Sequence, residues 1–76
     1  MNRKQGYDLY LAQQYLTESE LRVARQEQLI TTLKNQGRST DEAKRILENF
    51  ELTVVQLRNH LQVMQALVEP DHTSKT

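Results

Sequence analysis

The feature that most constrains this chain is the spacing of its apolar residues between positions 43 and 68. The intervals alternate between four and three without exception across Ala43, Leu47, Phe50, Val54, Leu57, Leu61, Met64 and Val68. Such spacing is typical of a helix packed lengthwise against another, because it gathers these side chains into one stripe, here called the seam. Pro70 cannot continue the helix. We therefore predict a second helix over about residues 40–68 and a disordered polar tail over 69–76.

An earlier segment follows the same rule less regularly and predicts a first helix over about residues 8–36. One set of seam positions is apolar, with Leu9, Leu16, Val23 and Ile30. The alternate set is polar in its middle, and reads Ala12, Ser19, Gln26 and Leu33. Polar residues inside a seam can fix the alignment of two helices at a cost in stability. Ser19 and Gln26 therefore set the register, or else the seam drifts there.

Thr17 and Glu20 have the spacing of a capping box, which would start a helix at Thr17. We favour one continuous helix, because Leu9, Leu16 and Val23 keep the same phase across this point.

A short turn separates the two helices. Gly37 is the residue type favoured where a helix ends in the left-handed conformation. Ser39 and Glu42 have capping-box spacing, so the Ser39 hydroxyl is expected to accept the Glu42 N–H. With a turn at residues 37–39, the two helices must run antiparallel.

The second helix carries more apolar residues than one seam can bury. Ile46, Leu52, Val55, Val63 and Leu67 lie off the seam. A chain of 76 residues is one small domain, near the lower limit for a self-sufficient core. We therefore expect an all-α fold, an antiparallel two-helix hairpin that dimerises into a four-helix bundle. The predicted oligomer or partner interface is Ile46, Phe50, Leu52, Val54, Val55, Leu57, Leu61, Met64 and Leu67.

The sequence offers little catalytic or ligand-binding chemistry. It has no cysteine, no glycine-rich phosphate loop, and neither His60 nor His72 has a helical Glu three residues before it. His60 is expected to flank the seam rather than serve as a buried, pH-responsive group. We predict no enzyme activity, no catalytic residue, no metal, no cofactor and no small-molecule substrate. Without a signal or membrane-spanning run, the expected location is the cytoplasm.

The balance of charge favours association with protein. Ten basic and ten acidic residues cancel, which removes the self-repulsion that keeps chains apart and argues against phosphate binding as the main task. The leading hypothesis is a non-enzymatic interaction module, a small adaptor or regulator that pairs with itself and with another protein. The alternative is a hairpin dimer that binds RNA or DNA through Arg22, Arg25, Arg38 and Arg45.

Residues 22–61 also resemble a group of short, uncharacterised bacterial proteins. The pattern is a basic-polar helix with an Arg-Gln pair, a glycine turn, and a second helix that ends near a histidine or arginine. The matching residues are Arg25, Gln26, Leu29, Ile30, Leu33, Gly37, Thr40, Ala43, Ile46, Leu47 and Phe50. This chain lacks the histidines that often precede the basic stretch of that group. The resemblance implies a helical hairpin and no activity.

Overall fold

The computed structural model describes residues 3–68 and consists, over that range, of two helices. Helix α1 spans Arg3–Asn35 and helix α2 spans Asp41–Val68. The amide Nε2 of Gln26 reaches the carbonyl of Ala43, and Arg58 reaches Glu20 farther from the turn. The two contacts join residues that are 17 and 38 positions apart in sequence, and the larger separation belongs to the contact farther from the turn. This order requires antiparallel helices. The predicted all-α hairpin is confirmed for the single chain, while the predicted tail at 69–76 lies outside the described residues.

Helix α1 is continuous and longer than its apolar pattern indicated. It begins at Arg3 rather than near residue 8, because Arg3, Lys4 and Gln5 are good helix formers that need no buried partner. The possible break at Thr17 is absent. The Thr17 hydroxyl donates to the Gln13 carbonyl of the preceding turn at 3.1 Å instead of capping a new helix.

The end of α1 is a Schellman motif centred on Gly37. The Arg38 N–H donates to the Leu33 carbonyl at 2.9 Å, and the Gly37 N–H donates to the Lys34 carbonyl at 3.0 Å. Gly37 has a φ of 70°, the left-handed conformation that the sequence predicted. These bonds satisfy carbonyls that the end of a helix otherwise leaves without donors.

The predicted capping box at Ser39 is wrong. Helix α2 begins at Asp41, and the Thr40 carbonyl accepts the first helical bond, from the Lys44 N–H at 2.9 Å. Thr40 is therefore the N-cap, and the third helical residue is Ala43, which has no carboxylate to close a box. Ser39 Oγ instead accepts the Asp41 N–H at 3.4 Å.

The hairpin is a single layer of two helices. Its principal dimensions are 58 × 23 × 14 Å, so the thinnest direction is close to the width of one helix. Its radius of gyration is 17.5 Å, whereas a compact domain of this length would have about 11 Å. Of the side chains described, over residues 6–67, no large one is fully buried. Layered domains bury their cores between two elements of structure, and this chain supplies one layer.

Candidate interaction surfaces

Both sets of seam positions face the partner helix along the whole hairpin. In heptad letters, position a is held by Leu9, Leu16, Val23 and Ile30 in α1 and by Leu47, Val54, Leu61 and Val68 in α2. Position d is held by Ala12, Ser19, Gln26 and Leu33 in α1 and by Ala43, Phe50, Leu57 and Met64 in α2. Every one of these side chains that the structure describes is buried or half-buried. The seam therefore does not drift in the middle of α1.

The two polar seam residues occupy different environments. Ser19 is 5% exposed, and its small side chain faces the region of Phe50 and Thr53. Gln26 is half-buried and donates from Nε2 to the Ala43 carbonyl at 3.0 Å, across 17 residues of sequence. A directional bond of this kind is satisfied at one helix alignment, because a shift along the axis removes its acceptor. Gln26 thus fixes the register between α1 and the first turn of α2.

The antiparallel arrangement sorts the flanking residues onto two different edges. When two helices run in opposite directions, the e positions of both line one side of the seam and the g positions line the other. The side with the e positions is here called the charged edge, and consists of Gln13, Glu20, Glu27, Lys34, Lys44, Glu51, Arg58 and Gln65. The side with the g positions is called the low-charge edge, and consists of Asp8, Tyr15, Arg22, Leu29, Ile46, Thr53, His60 and Leu67.

Shallow grooves along the seam support this sorting. On the charged edge, two grooves have charged rims over apolar seam residues. The first is lined by Glu20, Glu51 and Arg58 with Val23, Val54 and Val55, and the second by Glu27, Lys44, Glu48 and Glu51 with Ile30 and Leu47. Arg58 Nη2 and Glu20 Oε2 form an ion pair there at 2.8 Å. Both side chains of the pair remain largely exposed, so the pair contributes about 0–1 kcal/mol. The charged side chains of this edge are therefore already in contact with water and need no partner chain to cover them.

The low-charge edge is lined by exposed apolar side chains and two hollows. Tyr15, Leu29, Ile46 and Leu67 are all exposed on this edge, with Leu67 at 66%. One hollow, of about 110 Å³, is lined by Ser19, Arg22, Phe50 and Thr53. The other, of about 220 Å³, is lined by Asp8, Leu11, Ala12, Tyr15, Leu57 and His60. Each hollow lies above a small seam residue, Ser19 or Ala12.

The outer face of α2 forms a third surface. Leu52, Val55 and Val63 are 50–57% exposed, and Val55 also lines the groove on the charged edge. Between residues 52 and 68, Arg58 is the one residue with a formal charge, and it is already engaged with Glu20. This face therefore combines exposed aliphatic carbon with uncharged polar groups such as Gln56 and Asn59.

The structure divides the predicted interface residues into two groups. Phe50, Val54, Leu57, Leu61 and Met64 are seam residues that already pack between α1 and α2. Ile46, Leu52, Val55 and Leu67 are exposed and free to contact another chain. His60 is exposed beside the seam, as expected for a flanking residue. Sequence reasoning did not bring Arg22 and Thr53 together, since the contact between these residues of α1 and α2 depends on the reversal of the chain.

The four arginines of the nucleic-acid alternative do not form one ridge. Arg22 lies on the low-charge edge, and the Arg38 guanidinium points to Gln36 Oε1 at 3.4 Å in the turn. Arg25 and Arg45 are exposed. Arg25 lies one turn after Arg22 on α1, whereas Arg45 lies on α2 near the turn, so the four arginines are spread over both helices and the turn.

No family model, curated protein or solved structure matches this chain. The resemblance of residues 22–61 to short bacterial proteins therefore stays a prediction. Among the residues that the structure describes, no group of three or more potential metal-ligating side chains is found. Within that same part of the chain, neither helix is long and apolar enough to cross a membrane.

Proposed function

We propose that this protein is a non-enzymatic interaction module, a small adaptor or regulator that works as a homodimer of hairpins. The observation that carries the proposal is the single-layer fold with exposed aliphatic side chains on both α1 and α2. Each large aliphatic residue contributes about 1.5–3 kcal/mol when it is fully buried relative to exposed. A second hairpin laid on the first would supply the missing layer and complete a four-helix bundle.

The surface area supports this proposal. The chain exposes 6104 Å², whereas a compact folded monomer of 8.9 kDa would expose about 4,800 Å². The excess of about 1,300 Å² is larger than the roughly 800 Å² that each partner buries in a protein–protein interface of standard size. Self-association can therefore use a standard interface and still leave apolar surface for a different protein.

The outer face of α2 is the surface that we assign to this second protein. Leu52 and Val63 line neither the grooves of the charged edge nor the hollows of the low-charge edge, so they would stay exposed in a dimer formed through the low-charge edge. Val55, which lines a groove on the charged edge, would also stay exposed there. A partner helix could lay aliphatic side chains on this face without desolvating a formal charge, since Arg58 is held at the charged edge by Glu20. The proposal assigns no catalytic residue or cofactor, and places the module in the cytoplasm.

The first test is the mass of the protein in solution, measured by light scattering over a concentration series. We expect twice the 8.9 kDa mass of the chain. A single-chain mass throughout the series would refute the homodimer.

The second test separates partner binding from dimerisation. The double variant Leu52→Lys/Val63→Lys should keep the mass of the dimer and lose the binding of a purified protein partner isolated with the wild-type chain. The matched control is Gln14→Lys/Gln28→Lys, which places the same added charge on the exposed outer face of α1. Equal losses in both double variants would show that charge alone, and not the outer face of α2, governs partner binding.

A further inference from the structure

We infer that the second copy packs on the low-charge edge, antiparallel to the first, with Tyr15 of each chain filling the hollow over Ser19 of the other. This inference rests on the proposed homodimer and specifies its interface. Four observations support it: the charge of the two edges, the two hollows, the exposure of Tyr15, and the spacing of the edge residues.

The charge difference selects the edge. Packing a second copy on the charged edge would remove water from Glu20, Glu27, Lys34, Lys44, Glu51 and Arg58 of each chain. Removing charges from water is costly unless each one gains a well-placed partner. The low-charge edge has two charged residues, Asp8 and Arg22, and it offers Leu29, Ile46 and Leu67 in exchange. A second copy therefore buries more apolar carbon and fewer charges on the low-charge edge.

The shape of the low-charge edge is self-complementary. The hollow lined by Ser19, Arg22, Phe50 and Thr53 has four sides, as a hole in knobs-into-holes packing does. Tyr15 lies one turn before Ser19 on the same helix and is 53% exposed. One edge thus presents both a projecting ring and a hollow. A two-fold axis can bring each ring to the other copy's hollow, as an interface with the same patch on both chains requires.

The position of Tyr15, one level away from the hollow, sets the direction of the second copy. Along the low-charge edge, four levels are separated by seven residues, or about 10 Å. From the turn to the open end they are Leu29 with Ile46, Arg22 with Thr53, Tyr15 with His60, and Asp8 with Leu67. When the hairpins are antiparallel, the axis passes between the second and third levels. Each copy's level of Arg22 and Thr53 then faces the other copy's level of Tyr15 and His60.

This pairing also gives the polar groups at the two central levels a partner, while at the outer levels Asp8 faces Leu29 of the other copy. The Arg22 guanidinium lies over the face of the incoming Tyr15 ring, a favourable cation–π arrangement. Thr53 and His60 can exchange a hydrogen bond across the axis, and Ile46 meets Leu67. In the parallel alternative, each level would face the same level of the other copy, so Tyr15 would meet His60 and the hollow over Ser19 would stay unfilled.

A pair of cysteines tests both the edge and the direction. The natural chain has no cysteine. In the variant Thr53→Cys/His60→Cys, the two thiols of one chain are about 10 Å apart along the helix, too far for a disulfide within the chain. Across the proposed interface, the cysteine at position 53 of each chain faces the cysteine at position 60 of the other chain. Mild oxidation should therefore give a covalent, fully helical dimer. The matched control is Glu51→Cys/Arg58→Cys, with the same spacing on the charged edge of the same helix, and should stay unlinked.

A tyrosine pair tests the contact itself. Tyr15→Ala should raise the dissociation constant of the dimer by about 30-fold, as the loss of a buried aromatic side chain at an interface typically does. Tyr10→Ala removes an equally exposed ring from the outer part of α1 and should leave the constant within about twofold, as expected for a residue outside the interface. Sedimentation equilibrium measures both constants.

The outcomes separate this inference from the proposed function. Cross-linking of the Glu51 and Arg58 positions, or equal effects of the two tyrosine variants, would overturn the low-charge edge while leaving a homodimer. A wild-type dimer in which neither cysteine pair cross-links would overturn the antiparallel packing on this edge. A wild-type chain that sediments as a monomer would refute the homodimer and this inference together.

Discussion

Replacing Gly37 by alanine tests how the turn holds the two helices together. Gly37 has a φ of 70°, and a Cβ added there would have no heavy atom within 4 Å. The substitution therefore introduces no clash with another side chain, and its effect comes from the local backbone. An L-residue in the left-handed conformation is destabilised by roughly 1–2 kcal/mol, because its Cβ approaches the following carbonyl oxygen. Alanine also restricts the unfolded chain, which offsets about 0.4–1 kcal/mol.

We therefore expect Gly37→Ala to lower the free energy of unfolding by about 1 kcal/mol per chain, or the Tm by about 4–8 °C. The loss of helical circular dichroism on heating measures this change, at one fixed protein concentration, because unfolding of the proposed dimer would depend on concentration. Gly37→Val should be destabilised more than Gly37→Ala, since a β-branched residue is an outlier at positive φ.

The mirror-image substitution provides the control. The chain is short enough for chemical synthesis, so D-alanine can be placed at position 37. D-alanine favours positive φ and restricts the unfolded chain, so this protein should exceed the wild type by about 0.5 kcal/mol. If L-alanine and D-alanine gave the same melting temperature, the left-handed end of α1 would not contribute to stability, and the reasoning would be wrong.

Three further predictions follow from the seam and from the placement of the arginines. Leu57→Asp puts a carboxylate into the half-buried centre of the seam and should unfold or dissociate the protein; a variant with full helicity and unchanged mass would contradict the seam. Gln26→Ala removes the 3.0 Å bond to the Ala43 carbonyl and should destabilise the fold by about 1 kcal/mol in urea titrations, whereas Gln26→Leu should be near neutral in stability. Because ten acidic residues balance the ten basic ones and the four arginines are spread over both helices and the turn, the protein should not shift a labelled RNA or DNA duplex at physiological salt. A shift that weakened steeply with added salt would instead support the nucleic-acid alternative.

The sequence predicted the seam of α2 and the glycine turn because both depend on local rules. Seven-residue spacing places side chains on one stripe in any helix, and a glycine after a long helix favours the left-handed end. The start of each helix was predicted less well. Residues 3–7 carry no apolar period, and Gly6 is a poor helix former among better ones, so the local pattern could not place the start of α1. At α2, Ser39 and Thr40 are both competent N-caps, and the local sequence could not choose between them.

The polar seam residues show what local rules leave open. Ser19 and Gln26 were compatible with a drifting seam, since a polar residue at a seam position is equally consistent with a loose helix. The acceptor of Gln26 is the carbonyl of Ala43, and a backbone carbonyl has no signature in the sequence. Its availability depends on the exact alignment of α2, which only the folded hairpin defines.

The two edges are a property of the pair of helices, and this is why neither helix reveals them alone. Taken separately, α1 has Asp8, Tyr15, Arg22 and Leu29 at one flank and Gln13, Glu20, Glu27 and Lys34 at the other, a mixed surface on both sides. The flank of α2 with Lys44, Glu51 and Arg58 could have faced either one. Reversal of the chain places this flank beside Glu20 and Glu27, which concentrates the charge on one edge and leaves the aliphatic and aromatic groups together on the other. The tight turn at Gly37 thus combines two helices, each with charged and apolar residues on both flanks, into a layer with one charged, hydrated edge and one low-charge edge suited to burial. The turn and the proposed interface are therefore linked: if the chain dimerises as proposed, lengthening the turn enough to let α2 rotate about its axis should weaken self-association even with both helices intact.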